Sequence, residues 1–270
     1  MGIHIGFIGC GKMGQAILTG LLSKRNIDKS QIRVSAKTET TLSKVKEIFG
    51  VQTTTNNRDI GKWADILVIA VKPNLHKEII EEIRTEISPN TIVVTIAAGI
   101  TLQFLEQSFG MPVKAVRAMP NTPSLVGEGI TALCFHDLVL KDEREQVSNI
   151  FESLGQVEEF PEMLMNSVPA ISGSSPAYVY MMIESLADGA VMQGIARDKA
   201  YRMAAQAVLG AAKMVLETGL HPGVLKDQVC TPGGATIEAV AALEKTGFRS
   251  SILSAMESCT EKVIKLTENE

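Results

Sequence analysis

Ile3-His4-Ile5-Gly6-Phe7-Ile8-Gly9-Cys10-Gly11-Lys12-Met13-Gly14 stands at the start of the chain, and its reading decides the fold. The run Ile3–Ile8 is apolar and rich in isoleucine, which predicts a strand. It stops at glycines spaced G-x-G-x-x-G, and a helical pattern then runs through Leu22. In that setting Gly9 permits the tight turn, Gly11 lets a pyrophosphate approach the backbone, and Gly14 lets the helix pack on the strand. The helix amino terminus then faces the phosphates. A lone glycine motif is also an ordinary turn. The flanking strand and helix favour dinucleotide binding by Ile8, Gly9, Cys10, Gly11, Lys12, Met13 and Gly14.

Outward from this point, short apolar runs alternate with amphipathic stretches, the pattern of strand-helix-strand units on a mainly parallel sheet. Further strands are predicted at Ile32–Ser35, Ile66–Val71, Ile92–Ile96 and Val113–Ala118, with Ile130–Phe135 and Val157–Phe160 completing the edge. They are nearly continuous in Val and Ile because helices cover both faces of a parallel sheet. Ligands of such sheets bind outside the carboxyl ends of the strands. The stretches Ala70-Val71-Lys72-Pro73, Ala97-Ala98-Gly99 and Met119-Pro120-Asn121-Thr122-Pro123 are therefore expected to line the cofactor, although each alone also suits a turn.

Enzymes that prefer NAD place a carboxylate about 20 residues after the glycines to bond the ribose hydroxyls. Here Ser35, Ala36, Lys37 and Thr38 occupy that place, and no carboxylate precedes Glu39. Hydroxyls and a cation suit a 2′-phosphate. NADPH is the favoured cofactor, with NADH open and Lys37 also readable as a solvated surface lysine.

After Phe160 the character changes. From Ser167 the chain is rich in Ala, Met, Leu and Gly at helical spacing, as in Ala200, Met203, Ala204, Ala207, Val208, Ala211 and Val215, or Ile252, Met256, Cys259, Val263 and Leu266. The fold class is thus α/β: a Rossmann-type, mainly parallel sheet domain over residues 1–164, followed by an all-helical domain over 165–270. Tyr178–Met192 is apolar over most of its circumference, and so small a domain has little interior to hide it. Burial against a second subunit is favoured over burial within one chain. Glu184 and Asp188 lie four apart on that stretch, a spacing commoner in solvated or interface pairs than in acid-base or metal sites. Thr231-Pro232-Gly233-Gly234-Ala235-Thr236 precedes a helix through Leu243, so its free amides suit a carboxylate, or else form a tight interhelical turn.

Composition narrows the partners. The chain has 270 residues and a net charge of −4, with scattered basic residues, which excludes the footprint of a nucleic-acid binder or polybasic membrane anchor. No apolar run reaches the roughly 18 residues of a membrane span, and the opening run reads as a strand instead of a signal. Cys10, Cys134, Cys230 and Cys259 form no C-x-x-C pair, and His4, His76, His136 and His221 are equally isolated. Reduced thiols in a cytoplasmic protein without a metal are expected.

With these residues assembled, the chain resembles the pyrroline-5-carboxylate reductases over essentially its whole length. The resemblance rests on Leu225 to Thr236 followed by Glu238 and Leu243, on Ser172-Gly173-Ser174-Ser175-Pro176-Ala177-Tyr178, and on Arg117-Ala118-Met119-Pro120-Asn121-Thr122-Pro123. It implies reduction of 1-pyrroline-5-carboxylate to proline, a helical domain that forms homodimers by interlocking helices, and dimers joined into larger homo-oligomers. It places the nicotinamide near Ala97, Ala98 and the Met119–Thr122 loop, and Ser35, Lys37 and Asn57 near the adenosine end, with Glu162 close to the cofactor. It sets the substrate against Val229, Thr231, Gly233, Gly234, Ala235 and Thr236, with the Thr236 hydroxyl, the expected catalytic group, on the ring nitrogen. The family often has Asp at Asn166 and Gly at Ser175. A β-hydroxyacid dehydrogenase opens similarly but needs a base for the hydroxyl proton, in that family a lysine, and no lysine lies between Asn166 and Gln193. A non-catalytic NADPH-binding sensor is the remaining alternative, disfavoured by the Thr231–Thr236 loop.

Overall fold

Successive residues of each strand enter opposite faces of one sheet, and in this chain both faces are covered. The computed structural model describes residues 2–23 and 27–267. The order of elements is β1 (Ile5–Ile8), α1 (Lys12–Ser23), β2 (Ile32–Ser35), α2 (Glu39–Phe49), β3 (Gln52–Thr54), α3 (Asn57–Trp63), β4 (Ile66–Ile69), α4 (His76–Ile83), β5 (Ile92–Thr95), α5 (Leu102–Phe109), β6 (Lys114–Met119), β7 (Gly129–Phe135), α6 (Lys141–Glu152) and β8 (Gly155–Glu159). The sheet order is β3-β2-β1-β4-β5-β6-β7-β8. Pairing is parallel through β6, antiparallel between β6 and β7, and parallel again between β7 and β8.

Ile5, Phe7, Ile66, Val68, Ile92 and Val94 point to one face, where α1, α2 and α6 cover them with Ile17, Leu18, Val45, Phe49 and Phe151. Ile8, Leu67, Ile69 and Val93 point to the other, under Ile60 of α3, Ile80 and Ile83 of α4, and Leu105 and Phe109 of α5. Each such side chain contributes roughly 1.5–3 kcal/mol by leaving water. Thr38 and Thr101 accept from Thr41 N and Phe104 N, which fixes where α2 and α5 begin.

Two differences from the sequence reading have simple causes. β3 was not expected, because Gln52-Thr53-Thr54 is a three-residue polar strand at the sheet edge and carries no apolar run. Met165 and Val168, past the expected domain boundary, pack into the second core face. Residues up to Ser174 accordingly group with the sheet, as does the chain from Cys259 on.

The second unit, Ser175–Ser258, is helical. It holds α7 (Ser175–Met192), α8 (Arg197–Thr218), α9 (Pro222–Val229), α10 (Ala235–Lys245) and the first part of α11 (Phe248–Thr267). Within the chain, α7 buries only Ala187, and α8 only Ala200 and Ala204.

Candidate functional site

In the first unit the expected cofactor residues gather at the carboxyl ends of the parallel strands. Gly9 has a φ of 86°, and a Cβ there would stand 2.7 Å from Val71 and 2.9 Å from the Ala70 carbonyl, so only glycine makes this turn. Its amide donates to Ser35 O at 2.8 Å, joining the ends of β1 and β2. Nothing stands within 4 Å of where a Cβ on Gly11 would lie, so a ligand has open access to the backbone at the start of α1. The first turn of α1 has no acidic residue to repel an anion. Gly14 is less constrained than its place in the motif implies, because an added Cβ would meet its neighbours at 3.5 Å or more, ordinary contact.

Beside this turn lies a cleft of ≈ 290 Å³ lined by Gly9, Ala36, Lys37, Asn57 and Val71, among others. Lys37 is exposed, whereas Ser35 is fully buried. The Ser35 hydroxyl donates to Asn57 Oδ1 at 2.7 Å, and Asn57 Nδ2 donates to Glu82 Oε2 at 2.8 Å. The Ser35 hydroxyl is thus held by Asn57, which lines the cleft, and Thr38 is occupied in capping α2. Glu78 and Glu82 also line the cleft. Sequence reasoning missed them, although their i, i+4 spacing on α4 puts both on one helical face.

Ala70, Val71, Lys72 and Pro73 follow β4, and Ala97 and Ala98 follow β5. Thr95 Oγ1 accepts from Ala97 N at 3.2 Å, and buried His76 bonds that hydroxyl at 2.9 Å. Met119 ends β6, and Pro120, Asn121 and Thr122 follow it. Asn121 is buried and serves the fold: Oδ1 accepts from Ile130 N and Nδ2 donates to Ser172 O, both at 3.0 Å.

Glu162 is tied into a network the sequence did not disclose. Its Oε1 accepts from Arg117 Nη1 at 3.0 Å and from Leu102 N, at the start of α5, at 2.7 Å. Arg117 also donates to Asn166 Oδ1 at 3.1 Å. The guanidinium is almost wholly buried, and the carboxylate neutralises it. Arg117, a cation between the apolar residues Val116 and Ala118 of a core strand, was the available signal.

In the second unit Val229 ends α9, Thr231 opens the loop, and Gly234 N donates to Thr231 O at 3.0 Å. Gly233 has a φ of 66°. Gly234 caps α10 with no side-chain bond, which leaves the first amides of that helix, from Ala235 and Thr236 on, available to an anion. Thr236 is half-buried, its hydroxyl without a hydrogen-bond partner among the described residues.

The comparisons with known proteins agree with both units. A family model described as pyrroline-5-carboxylate reductase dimerisation matches residues 162–266. One described as NADP oxidoreductase, coenzyme F420-dependent, matches residues 4–99. The sequence is 46% identical to the pyrroline-5-carboxylate reductase of Escherichia coli (strain K12) over 98% of each chain. It is 36% identical to that of Arabidopsis thaliana over 98% of this chain and 96% of the relative. Among solved structures, a pyrroline-5-carboxylate reductase from Coxiella burnetii, 34% identical, superposes with a TM-score of 0.92 over 98% of both chains. A Plasmodium falciparum pyrroline carboxylate reductase with NADP bound, 32% identical, gives 0.89 over 98% of both.

Proposed function

The chain belongs to the pyrroline-5-carboxylate reductase family, and on that premise we propose that it reduces the C=N bond of 1-pyrroline-5-carboxylate to give L-proline, with NADPH as the hydride donor. The observation that carries this reading is 46% identity to a family member over 98% of the chain, joined to a glycine turn open to phosphates in the first unit. NADPH supplies a hydride to the imine carbon. If the imine binds protonated, its N–H donates to the Thr236 hydroxyl, and the iminium becomes a secondary amine without a further proton. No strong protein acid is then required, and the chain's task is orientation and charge placement. The loop of Val229, Thr231, Gly233 and Gly234, with the free amide of Ala235, holds the substrate carboxylate. The sheet unit binds the dinucleotide, and the helical unit, with its loop at Val229–Thr236, binds substrate.

The cofactor residues are those named along the strand ends, from Ile8 to Gly14 through Ala70–Pro73, Ala97, Ala98 and Met119–Thr122. Lys37 reaches the 2′-phosphate, while Ser35 and Glu162 act through Asn57 and Arg117. Residues 165–270 also pair with a second copy, which the family model for dimerisation supports. Exposed apolar side chains on α8 and α11, such as Leu216 and Leu253, leave faces for larger assemblies. A cytoplasmic location accords with four free thiols, and no described helix is long and apolar enough to cross a membrane.

NADPH consumption with racemic 1-pyrroline-5-carboxylate, run beside 3-hydroxyisobutyrate with NADP⁺, tests the proposal. Turnover of the imine alone is expected, since α7 carries no lysine to act as a base on an alcohol. Turnover of the hydroxyacid alone overturns it.

A further inference from the structure

We propose that His76 is a positioning residue for the reductase reaction, joining the loop after β4 to the loop after β5 through a chain of three hydrogen bonds. The proposal rests on the reading that these two loops, at 70–73 and 97–98, flank the dinucleotide. The ladder between β4 and β5 ends with a long bond, Ile96 N to Ile69 O at 3.4 Å. Beyond it, His76 takes over the connection. Its ring is fully buried, with Nδ1 3.2 Å from the Lys72 carbonyl and Nε2 2.9 Å from Thr95 Oγ1. The same Thr95 oxygen lies 3.2 Å from Ala97 N.

The chemistry of the partners gives this chain one direction. A carbonyl only accepts, so Nδ1 carries the hydrogen toward Lys72. The neutral ring then offers Nε2 as an acceptor, the Thr95 hydroxyl donates to it, and that oxygen receives the Ala97 N–H. A charged ring would turn a second N–H on Thr95 and leave its hydroxyl hydrogen seeking an acceptor in a buried place, at a cost comparable to an unmade hydrogen bond. Burial lowers the imidazole below its usual range, in accord with the neutral form. The Lys72 carbonyl and the Ala97 amide belong to the two loops, so the imidazole sets their separation. A histidine that merely filled space would need neither bond.

The experiment compares the whole protein with His76→Leu, Thr95→Val, their combination and His76→Gln. It follows amide exchange at Ala97, NADPH affinity by nicotinamide fluorescence, and kcat and KM for 1-pyrroline-5-carboxylate. His76→Leu and Thr95→Val should each speed Ala97 exchange by about tenfold or more and lower kcat roughly three- to tenfold. The combination should be no worse than either alone, because both break one chain. In His76→Gln the amide oxygen stands in for Nε2, so much of the loss should be restored. Additive losses, or a fall in melting temperature with Ala97 exchange and kcat unchanged, would overturn the proposal. If the family reading were at fault instead, the wild-type protein would not turn over the imine, while the contrast in Ala97 exchange would remain.

Discussion

The two units of this chain solve the problem of burial differently. In the first, alternate residues of the inner strands find helices on both faces, and the largest fully buried side chains, Phe7 and Phe151 among them, belong to it. In the second, Ala187, Ala200 and Ala204 are buried while Met181 is 67% and Met192 89% exposed. Small residues let α7 and α8 meet within the chain, and larger apolar ones are left facing outward. The first unit completes its core from its own sequence. The second leaves larger apolar side chains outward, and the family model for dimerisation that matches it fits a second copy of the chain there.

The sharpest way to break this comparison is to cut into each side of it. Phe151→Ala should cost about 3–5 kcal/mol in denaturant unfolding. Met181→Asp, on the outward face of α7, should leave the first unit's core intact and shift sedimentation toward monomer. Equal effects of both variants on stability and assembly would erase the distinction.

A second test separates chemistry from folding in the helical unit. Thr236→Ala should reduce kcat/KM for the imine by roughly ten- to a hundredfold if its hydrogen bond strengthens as hydride arrives. Thr236→Ser should retain most activity, and the melting temperature should barely move in either. A large drop in melting temperature would make the role structural.

The sheet unit has its counterpart at Lys37. Lys37→Glu should weaken NADPH about tenfold and leave NADH nearly unchanged, measured as two dissociation constants. Equal weakening would remove Lys37 from the 2′-phosphate.

The mildest effect concerns thiols in the sheet unit. Burial pushes Cys10 up to about 12 and Cys134 up to about 11, so neither forms a reactive thiolate near neutral pH. A brief iodoacetamide pulse at pH 8, read by mass spectrometry, should leave both unmodified until the protein unfolds. Because the fold favours the protonated thiols, their contribution to stability is full below the unfolded value of 9.0 and declines as pH rises through the folded values.

Much of the first unit was legible because its strands are runs of Val and Ile, and β2 ends where the sequence put it. β3 was not, being short and polar. The glycine turn was legible from spacing, but the direction of the Ser35 hydroxyl was not, since its partner Asn57 comes from 22 residues away. Separations of 45 and 49 residues likewise hid the meeting of Arg117 with Glu162 and Asn166, which takes place only after the sheet forms. His76 looked isolated because it opens α4 and its partner Thr95 ends β5, 19 residues on. In the second unit the helices were readable from their spacing, and the outward apolar residues of α7 accord with the expectation of a partner.

Sedimentation of the whole chain at micromolar concentration, with imine turnover assayed on the same sample, tests the central claim most directly. The protein should sediment as an active dimer or a multiple of dimers. A stable monomer that reduces 1-pyrroline-5-carboxylate would show that the helical unit completes its burial alone, and would contradict the account.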